Sequence, residues 1–274
     1  MKTIKDIIAQ KSRQEPITML TAYDYPIASF LDEAGIDIIL VGDSLANVVL
    51  GLDSTTEVGM KEMLHHTRAV VRAVKNALVI GDMPFDSYQL NPSAAVDNAR
   101  QFIEAGCHAV KLEWFEGCPK VAAAIAQSGI AVMGHVGLTP QTAQKIDGMK
   151  VQGRDASSAK VIMDSARALE DAGCFSVVLE CIPQEVAQVI TRQLKIPTIG
   201  IGAGPHCDGQ VLVIHDVLGL FSRYQPKFSK KYADLGPLIL QAVKQYRDEV
   251  KANKFPDDAH SFHLPADEIK RLIQ

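Results

Sequence analysis

Glu104-Ala105-Gly106-Cys107-His108-Ala109-Val110-Lys111-Leu112-Glu113 runs from a helical end through a glycine and a short apolar segment to an acid. The same order returns in Glu33-Ala34-Gly35 through Val41-Gly42-Asp43, and again in Asp171-Ala172-Gly173 through Val178-Leu179-Glu180. A glycine just past a helix can take the left-handed conformation that ends it. The recurring unit therefore reads as helix, glycine stop, strand, acid. Along the chain the apolar runs are Ile17–Thr21, Ile36–Val41, Leu78–Gly81, Ala109–Leu112, Ile130–Gly134, Ser176–Leu179, Pro197–Ile201 and Val211–Ile214. They are nearly continuously apolar rather than alternating, as strands covered on both faces are. Between them lie helical spacings such as Leu64, Thr67, Val71, Val74 and Ile162, Ala166, Leu169. Eight such units fit a closed (β/α)8 TIM barrel; a doubly wound sheet with a small lobe is the competing architecture.

The chain has 274 residues, 47% hydrophobic and 22% charged, which excludes a disordered, collagen-like or coiled-coil protein. No linker composition interrupts residues 1–254, so one barrel domain with N- and C-terminal helices is expected there, followed by a tail over 255–274. Leu235 to Lys251 reads as a helix, and Pro265 to Gln274 as a short last one. With 28 Lys plus Arg against 32 Asp plus Glu, a nucleic-acid groove or an anionic membrane surface is not the expected partner. The longest apolar stretch, Ile36 to Leu52, carries Asp37, Asp43, Ser44 and Asn47 and cannot span a bilayer. The first 16 residues lack the apolar core of a secretory signal. The five cysteines are odd in number and contain no Cys-x-x-Cys pair, which points to free thiols in a reducing, cytoplasmic compartment.

In a barrel, polar residues at the C-terminal ends of strands face the active-site mouth. Asp43, Asp82, Glu113 and Glu180 end the second, third, fourth and sixth runs. Carboxylates that converge repel one another, and an oxygen-only set suits Mg2+ or another hard divalent ion. Each could instead be a solvated acid at a strand end. Lys111 stands two residues before Glu113, on the same face of the strand. It could meet a substrate carboxylate or carbonyl, or form a structural pair with an acid. His135, at the end of the fifth run, could donate to substrate or be structural. His260-x-x-His263 has a zinc-like spacing but no third ligand. Gly200-Ile201-Gly202-Ala203-Gly204 could cradle phosphate or make a tight turn; it is not a dinucleotide fingerprint. Two connections are long enough to be functional, Asp43 to Met60 and Thr139 to Arg154.

Further segments carry a resemblance. They include Thr21-Ala22-Tyr23-Asp24-Tyr25, Val41-Gly42-Asp43-Ser44-Leu45, Val110-Lys111-Leu112-Glu113, Gly134-His135-Val136-Gly137-Leu138-Thr139-Pro140-Gln141, Lys150-Val151-Gln152-Gly153-Arg154, Val178-Leu179-Glu180-Cys181-Ile182-Pro183 and His260-Ser261-Phe262-His263. In this order, over about residues 17 to 263, the chain resembles the ketopantoate hydroxymethyltransferase family. The resemblance implies a TIM barrel of the phosphoenolpyruvate/pyruvate-binding type. It implies transfer of a one-carbon unit from 5,10-methylenetetrahydrofolate to 3-methyl-2-oxobutanoate, giving 2-dehydropantoate for pantothenate synthesis. It further implies Asp43, Asp82 and Glu113 as the Mg2+ site and Asp43, Ser44, Asp82, Lys111 and His135 as substrate contacts. Glu180 would be the catalytic base, and the assembly a homodecamer. Asp147-Gly148-Met149, in the loop after the fifth run, departs from the family pattern. The competing functions are a related 2-oxoacid C–C lyase, for which no cysteine lid motif is present, and a non-catalytic metabolite-binding barrel.

Overall fold

A computed structural model describes residues 1–89, 91–143, 150–221, 223 and 226–272. The departure at Asp147-Gly148-Met149 lies outside the described residues. Eight parallel strands close on themselves in chain order. They are β1 (Ile17–Thr21), β2 (Ile38–Val41), β3 (Leu78–Asp82), β4 (Ala109–Lys111), β5 (Ala131–Gly137), β6 (Ser176–Glu180), β7 (Thr198–Ile201) and β8 (Gly209–Leu212). β8 pairs with β1, Ile17 opposite Gly209, which excludes the open doubly wound sheet. The three glycine stops all have positive φ: 78° at Gly35, 104° at Gly106 and 92° at Gly173.

One strand is displaced from its expected place. The apolar run suggests Val211–Ile214, but β8 spans Gly209–Leu212 and Ile214 opens the helical turn Ile214–Val217. The reason is steric. A Cβ at Gly209 would sit 2.5 Å from the Ile17 carbonyl oxygen, so only glycine permits this close β1–β8 approach. Hydrophobic patterning passes over a strand that begins with glycine.

Two apolar layers flank the sheet. Outward side chains such as Val79, Val110, Val132 and Val177 join the helices in one core. Inward side chains form another, with Ile17, Met19, Ile38, Leu40, Leu78, Ile80, Met133, Val178 and Ile199. Ile7 of the helix Ile4–Arg13 belongs to this inner cluster, so that helix plugs the N-terminal end. Strand periodicity of two carries each inner row upward from apolar to polar: Ile80 to Asp82, Ala109 to Lys111, Met133 to His135, Val178 to Glu180. The apolar plug is thereby floored with ionisable groups at its C-terminal end.

The N-terminal rim is stitched by acids and one histidine. Asp37 accepts from Thr18 N and Thr18 Oγ1, both at 2.8 Å, and pairs with Lys2. Asp208 repeats the clasp on β7, accepting from Thr198 N at 2.8 Å, Thr198 Oγ1 at 3.0 Å and Lys11 Nζ at 2.7 Å. His108 Nδ1 accepts from Val79 N at 3.0 Å. Asp32 receives the amides of Lys75, Asn76 and Ala77 at 3.0, 2.9 and 2.8 Å. The tail histidines form no joint site: His260 faces Asp257 and His263 faces Asp258. The expected helix Leu235–Lys251 is present and has no buried residue, leaving Leu238, Ile239, Leu240 and Val243 exposed.

Candidate active site

A cavity of about 390 Å3 opens at the C-terminal ends of the strands. Asp43, Ser44, Asp82, Lys111, Glu113, His135 and Glu180 all line it, so the structure brings these seven residues, expected from sequence to form the site, to one place, while His260, His263 and the glycines of 200–204 do not line it. The short strands place them there, because β2, β3, β4 and β6 each end within two residues of an acid.

One side of the cavity is a buried ionic cluster. Lys111 Nζ lies 2.8 and 2.9 Å from the two Asp82 oxygens, and 3.9 Å from Glu113 Oε1. The lysine thus makes the structural pair considered from sequence, with the acid on the adjacent strand rather than its own neighbour. Asp43 N donates to Asp82 Oδ2 at 3.3 Å. Burial, then the Asp82 and Glu113 charges, push the Asp43 carboxyl up to about 8. Burial likewise raises Asp82, against the pull of Lys111. Lys111 stays protonated, since the acids around it more than offset its burial.

His135 joins this cluster to the other side. Its Nδ1 stands 3.4 Å from Glu113 Oε1 and its Nε2 3.2 Å from Glu180 Oε2. Neither contact has hydrogen-bond geometry, so both are charge contacts across short gaps. Burial alone would lower the His135 pKa; the Glu113 charge overrides it and holds the ring protonated up to about 9. Reciprocally, burial raises Glu113 but the His135 charge wins and lowers it. Glu180 is the most accessible of the four acids, its side chain 14% exposed.

Three residues at the site, Gln141, Tyr88 and Tyr23, carry roles that the sequence does not announce. Gln141 Nε2 donates to Asp43 Oδ2 at 2.9 Å and to the Met83 carbonyl at 3.2 Å, while its backbone N donates to Glu113 Oε2 at 3.0 Å. Tyr88 OH accepts from Glu113 N at 3.3 Å and donates to Gln141 Oε1. The phenol thereby fixes which way the Gln141 amide points, and the amide fixes one oxygen of Asp43. Ser44 Oγ bonds Tyr23 OH at 2.8 Å, and the Tyr23 carbonyl meets His66 Nδ1 at 2.7 Å. The signal in the sequence is only that Tyr23 and Gln141 fall within the motifs quoted above. The glycines of 200–204 make a tight turn, with φ of 64° at Gly202 and 76° at Gly204, outside this cavity.

Among the described residues, no three His, Cys, Asp or Glu side chains stand ready to chelate one ion. The donor set nevertheless fits a hard divalent cation. Asp43 and Asp82 abut at neighbouring strand ends, and Mg2+ is commonly held by one or two carboxylates completed by water and substrate oxygens. A cation there would relieve the repulsion that raises Asp43.

Comparisons with known proteins give the family and the fold. The family model described as ketopantoate hydroxymethyltransferase matches residues 1–258. The chain is 53% identical over 271 residues to the 3-methyl-2-oxobutanoate hydroxymethyltransferase of Syntrophomonas wolfei, covering 98% of each chain. It is 56% identical over 261 residues to the protein of that name from Syntrophus aciditrophicus, covering 95% of this chain and 96% of the other. Among solved structures, phosphonopyruvate hydrolase in complex with oxalate and Mg++ shares the fold, with a TM-score of 0.63 at 14% identity over 100% of this chain and 95% of that one. So does 2,3-dimethylmalate lyase, a member of the PEP mutase/isocitrate lyase superfamily, with a TM-score of 0.58 at 15% identity and the same coverage.

Proposed function

The chain belongs to the ketopantoate hydroxymethyltransferase family, and from that premise we propose that it transfers a one-carbon unit from 5,10-methylenetetrahydrofolate to 3-methyl-2-oxobutanoate, yielding 2-dehydropantoate in the first step of pantothenate biosynthesis. One observation carries the assignment of roles. A single cavity has the Asp43–Asp82–Lys111 cluster on one side and Glu180, backed by His135, on the other. The first side suits an anionic oxoacid and a cation; the second suits removal of a proton.

Asp43, Asp82 and Glu113 would hold Mg2+, which when bound supplies Lewis-acid stabilisation of an enolate oxygen. Lys111, already held at Asp82, turns its remaining N–H groups and its charge toward the oxoacid carboxylate and the developing anion. Ser44 Oγ, oriented by Tyr23, and the Asp43 and Asp82 carboxyl groups complete the oxoacid contacts. Glu180 Oε2 faces His135, which leaves Oε1 to take the C3 proton as general base. The protonated His135 ring orients Glu180 and touches substrate from the fifth strand. Water would break the two C–N bonds of the methylene bridge, releasing tetrahydrofolate and the one-carbon unit as formaldehyde; the enolate C3 would add to that carbon, and the alkoxide formed would take back the proton held on Glu180.

Residues 1–254 act as one barrel unit and 255–274 as a tail. A homodecamer is the proposed assembly, supported by the uncovered apolar face of the helix Leu235–Lys251. A cytoplasmic setting is supported by five free cysteines. Among the described residues no helix is long and apolar enough to cross a membrane. The test is paired: 2-dehydropantoate formation with and without a chelator, and deuterium exchange at C3 of 3-methyl-2-oxobutanoate without folate. Both activities should appear with Mg2+ and vanish on chelation. Ligand binding without C3 exchange would instead favour a metabolite-binding barrel.

A further inference from the structure

Six acids line the cavity, and five of them are engaged: Asp43 with Gln141, Asp53 with Arg223, Asp82 with Lys111, Glu113 and Glu180 with His135. The sixth is Asp216. It sits in the helical turn Ile214–Val217 just past β8, only 8% exposed, and lines the same cavity. Among the described residues no donor or cation stands on its carboxyl group, and burial is the one influence that raises its pKa. Its carboxyl oxygens are not sealed from the cavity, and with no donor from the fold they are free to accept from a molecule bound there.

The turn that carries Asp216 is held in place. Ile214 N donates to Thr21 Oγ1 at 3.0 Å, and the turn closes on itself through Val217 N to Val213 O at 3.2 Å. The His215 ring lies 5.5 Å from that of Tyr23, the residue that also fixes Ser44. Asp216 is thus preorganised rather than free to swing out. The cavity that Asp216 lines also has apolar and aromatic wall residues, among them Val48, Leu52, Phe221 and Phe228.

The chemistry of the two proposed substrates separates them. The oxoacid is an anion; Asp216 repels it, while Lys111 attracts it. The folate carries a flat 2-amino-4-oxopteridine whose N3–H and 2-amino group are adjacent donors on one edge. A carboxylate accepts such a pair with both oxygens, and apolar walls take the ring faces. We propose that Asp216 anchors the pterin ring of the one-carbon donor by accepting from N3–H and the 2-amino group. The inference rests on the folate reading given under the proposed function.

The test compares tetrahydrofolate with its 2-deamino analogue, which lacks one of the two donors, by calorimetry on the full-length protein under anaerobic conditions. Wild-type protein should bind the analogue about ten- to a hundredfold more weakly, the loss expected when a charge-assisted hydrogen bond is removed. In Asp216→Asn, tetrahydrofolate should weaken by a similar factor and the gap between the two ligands should narrow to within about threefold. The wild-type comparison keeps the inference falsifiable if the variant folds poorly. Equal wild-type affinities, or a gap undiminished in Asp216→Asn, overturn the subsite. Folate-independent C3 exchange on the same wild-type protein separates the two levels. Exchange together with indifference to the 2-amino group removes only the Asp216 subsite; absence of both exchange and tetrahydrofolate binding removes the functional reading and the subsite with it.

Discussion

The two ends of the barrel bury the same kind of residue in opposite circumstances. At the N-terminal rim, Asp32 receives three backbone amides, and Asp37 receives Thr18 and Lys2. Burial would raise both, but these donors override it and lower the two pKa values. At the C-terminal mouth, Asp43 and Asp82 face each other, and burial with like charge raises them. An acid surrounded by donors strengthens the fold; acids that face one another weaken it and are retained where a cation and a substrate will share the space. The difference separates residues that hold the barrel from residues that use it, as expected of the two faces of this architecture.

The largest effect that could break this division belongs to Glu180. Glu180→Gln is nearly isosteric but cannot accept the C3 proton. Transfer and folate-independent C3 exchange should fall together by roughly 10²–10⁴-fold, with Tm and Mg2+ affinity little changed. Deuterium incorporation followed by NMR, beside the transfer assay, measures both; retained exchange with lost transfer would move Glu180 to a later step.

At the opposite rim, Asp32→Asn should show the reverse profile. An amide in place of the carboxylate points donors at donors, so stability should fall by about 2–3 kcal/mol while kcat holds. Thermal melts beside steady-state kinetics decide it; a kcat loss at temperatures where the variant is fully folded would contradict a purely structural rim. The pH dependence follows with a definite sign. Asp32 and Asp37, lowered below the ordinary 3.8, stabilise fully above that value and lose the contribution as pH falls through their folded values.

Asp43 has the opposite linkage. Its folded value near 8 against 3.8 means that the folded state binds the proton more tightly, so metal-free stability declines as pH rises between those values. Asp43→Asn should therefore raise the metal-free stability at pH 8 by about 1–2 kcal/mol and abolish Mg2+-dependent activity. Calorimetric melts at pH 5 and pH 8 check this, and a variant less stable than wild type at pH 8 would show that the Gln141 donor outweighs burial and like charge at Asp43. The smallest effect is at Gln141. Gln141→Leu removes the amide that orients Asp43, and Mg2+ affinity should weaken by roughly tenfold, measured by titration. Unchanged affinity would reduce the Tyr88–Gln141 link to loop packing.

Most of the fold is legible in the chain because its units are local. The glycine after each helix, the apolar run and the terminal acid lie within about a dozen residues, so one reading repeated along the sequence places the acids at strand ends. Reading fails at β8, where closure of the barrel demands a bare Cα at Gly209 and the apolar pattern starts two residues late. It also passes over Tyr88, Gln141 and Asp216. Gln141 matters only because it meets Asp43, 98 residues away in the chain, and Asp216 only because the turn after β8 faces the same cavity as the acids of β2 to β6. The pairing of Lys111 with Asp82 rather than Glu113 has the same origin, since the register Asp82↔Lys111 is set between strands. The sequence by itself determined the alternation of elements, the helix stops and the height of each acid along its strand, because these depend on neighbours a few residues apart. Tertiary structure alone decided which acid meets a donor and which meets another acid, because the free energy of a buried charge depends on groups that only barrel closure brings within a few ångströms.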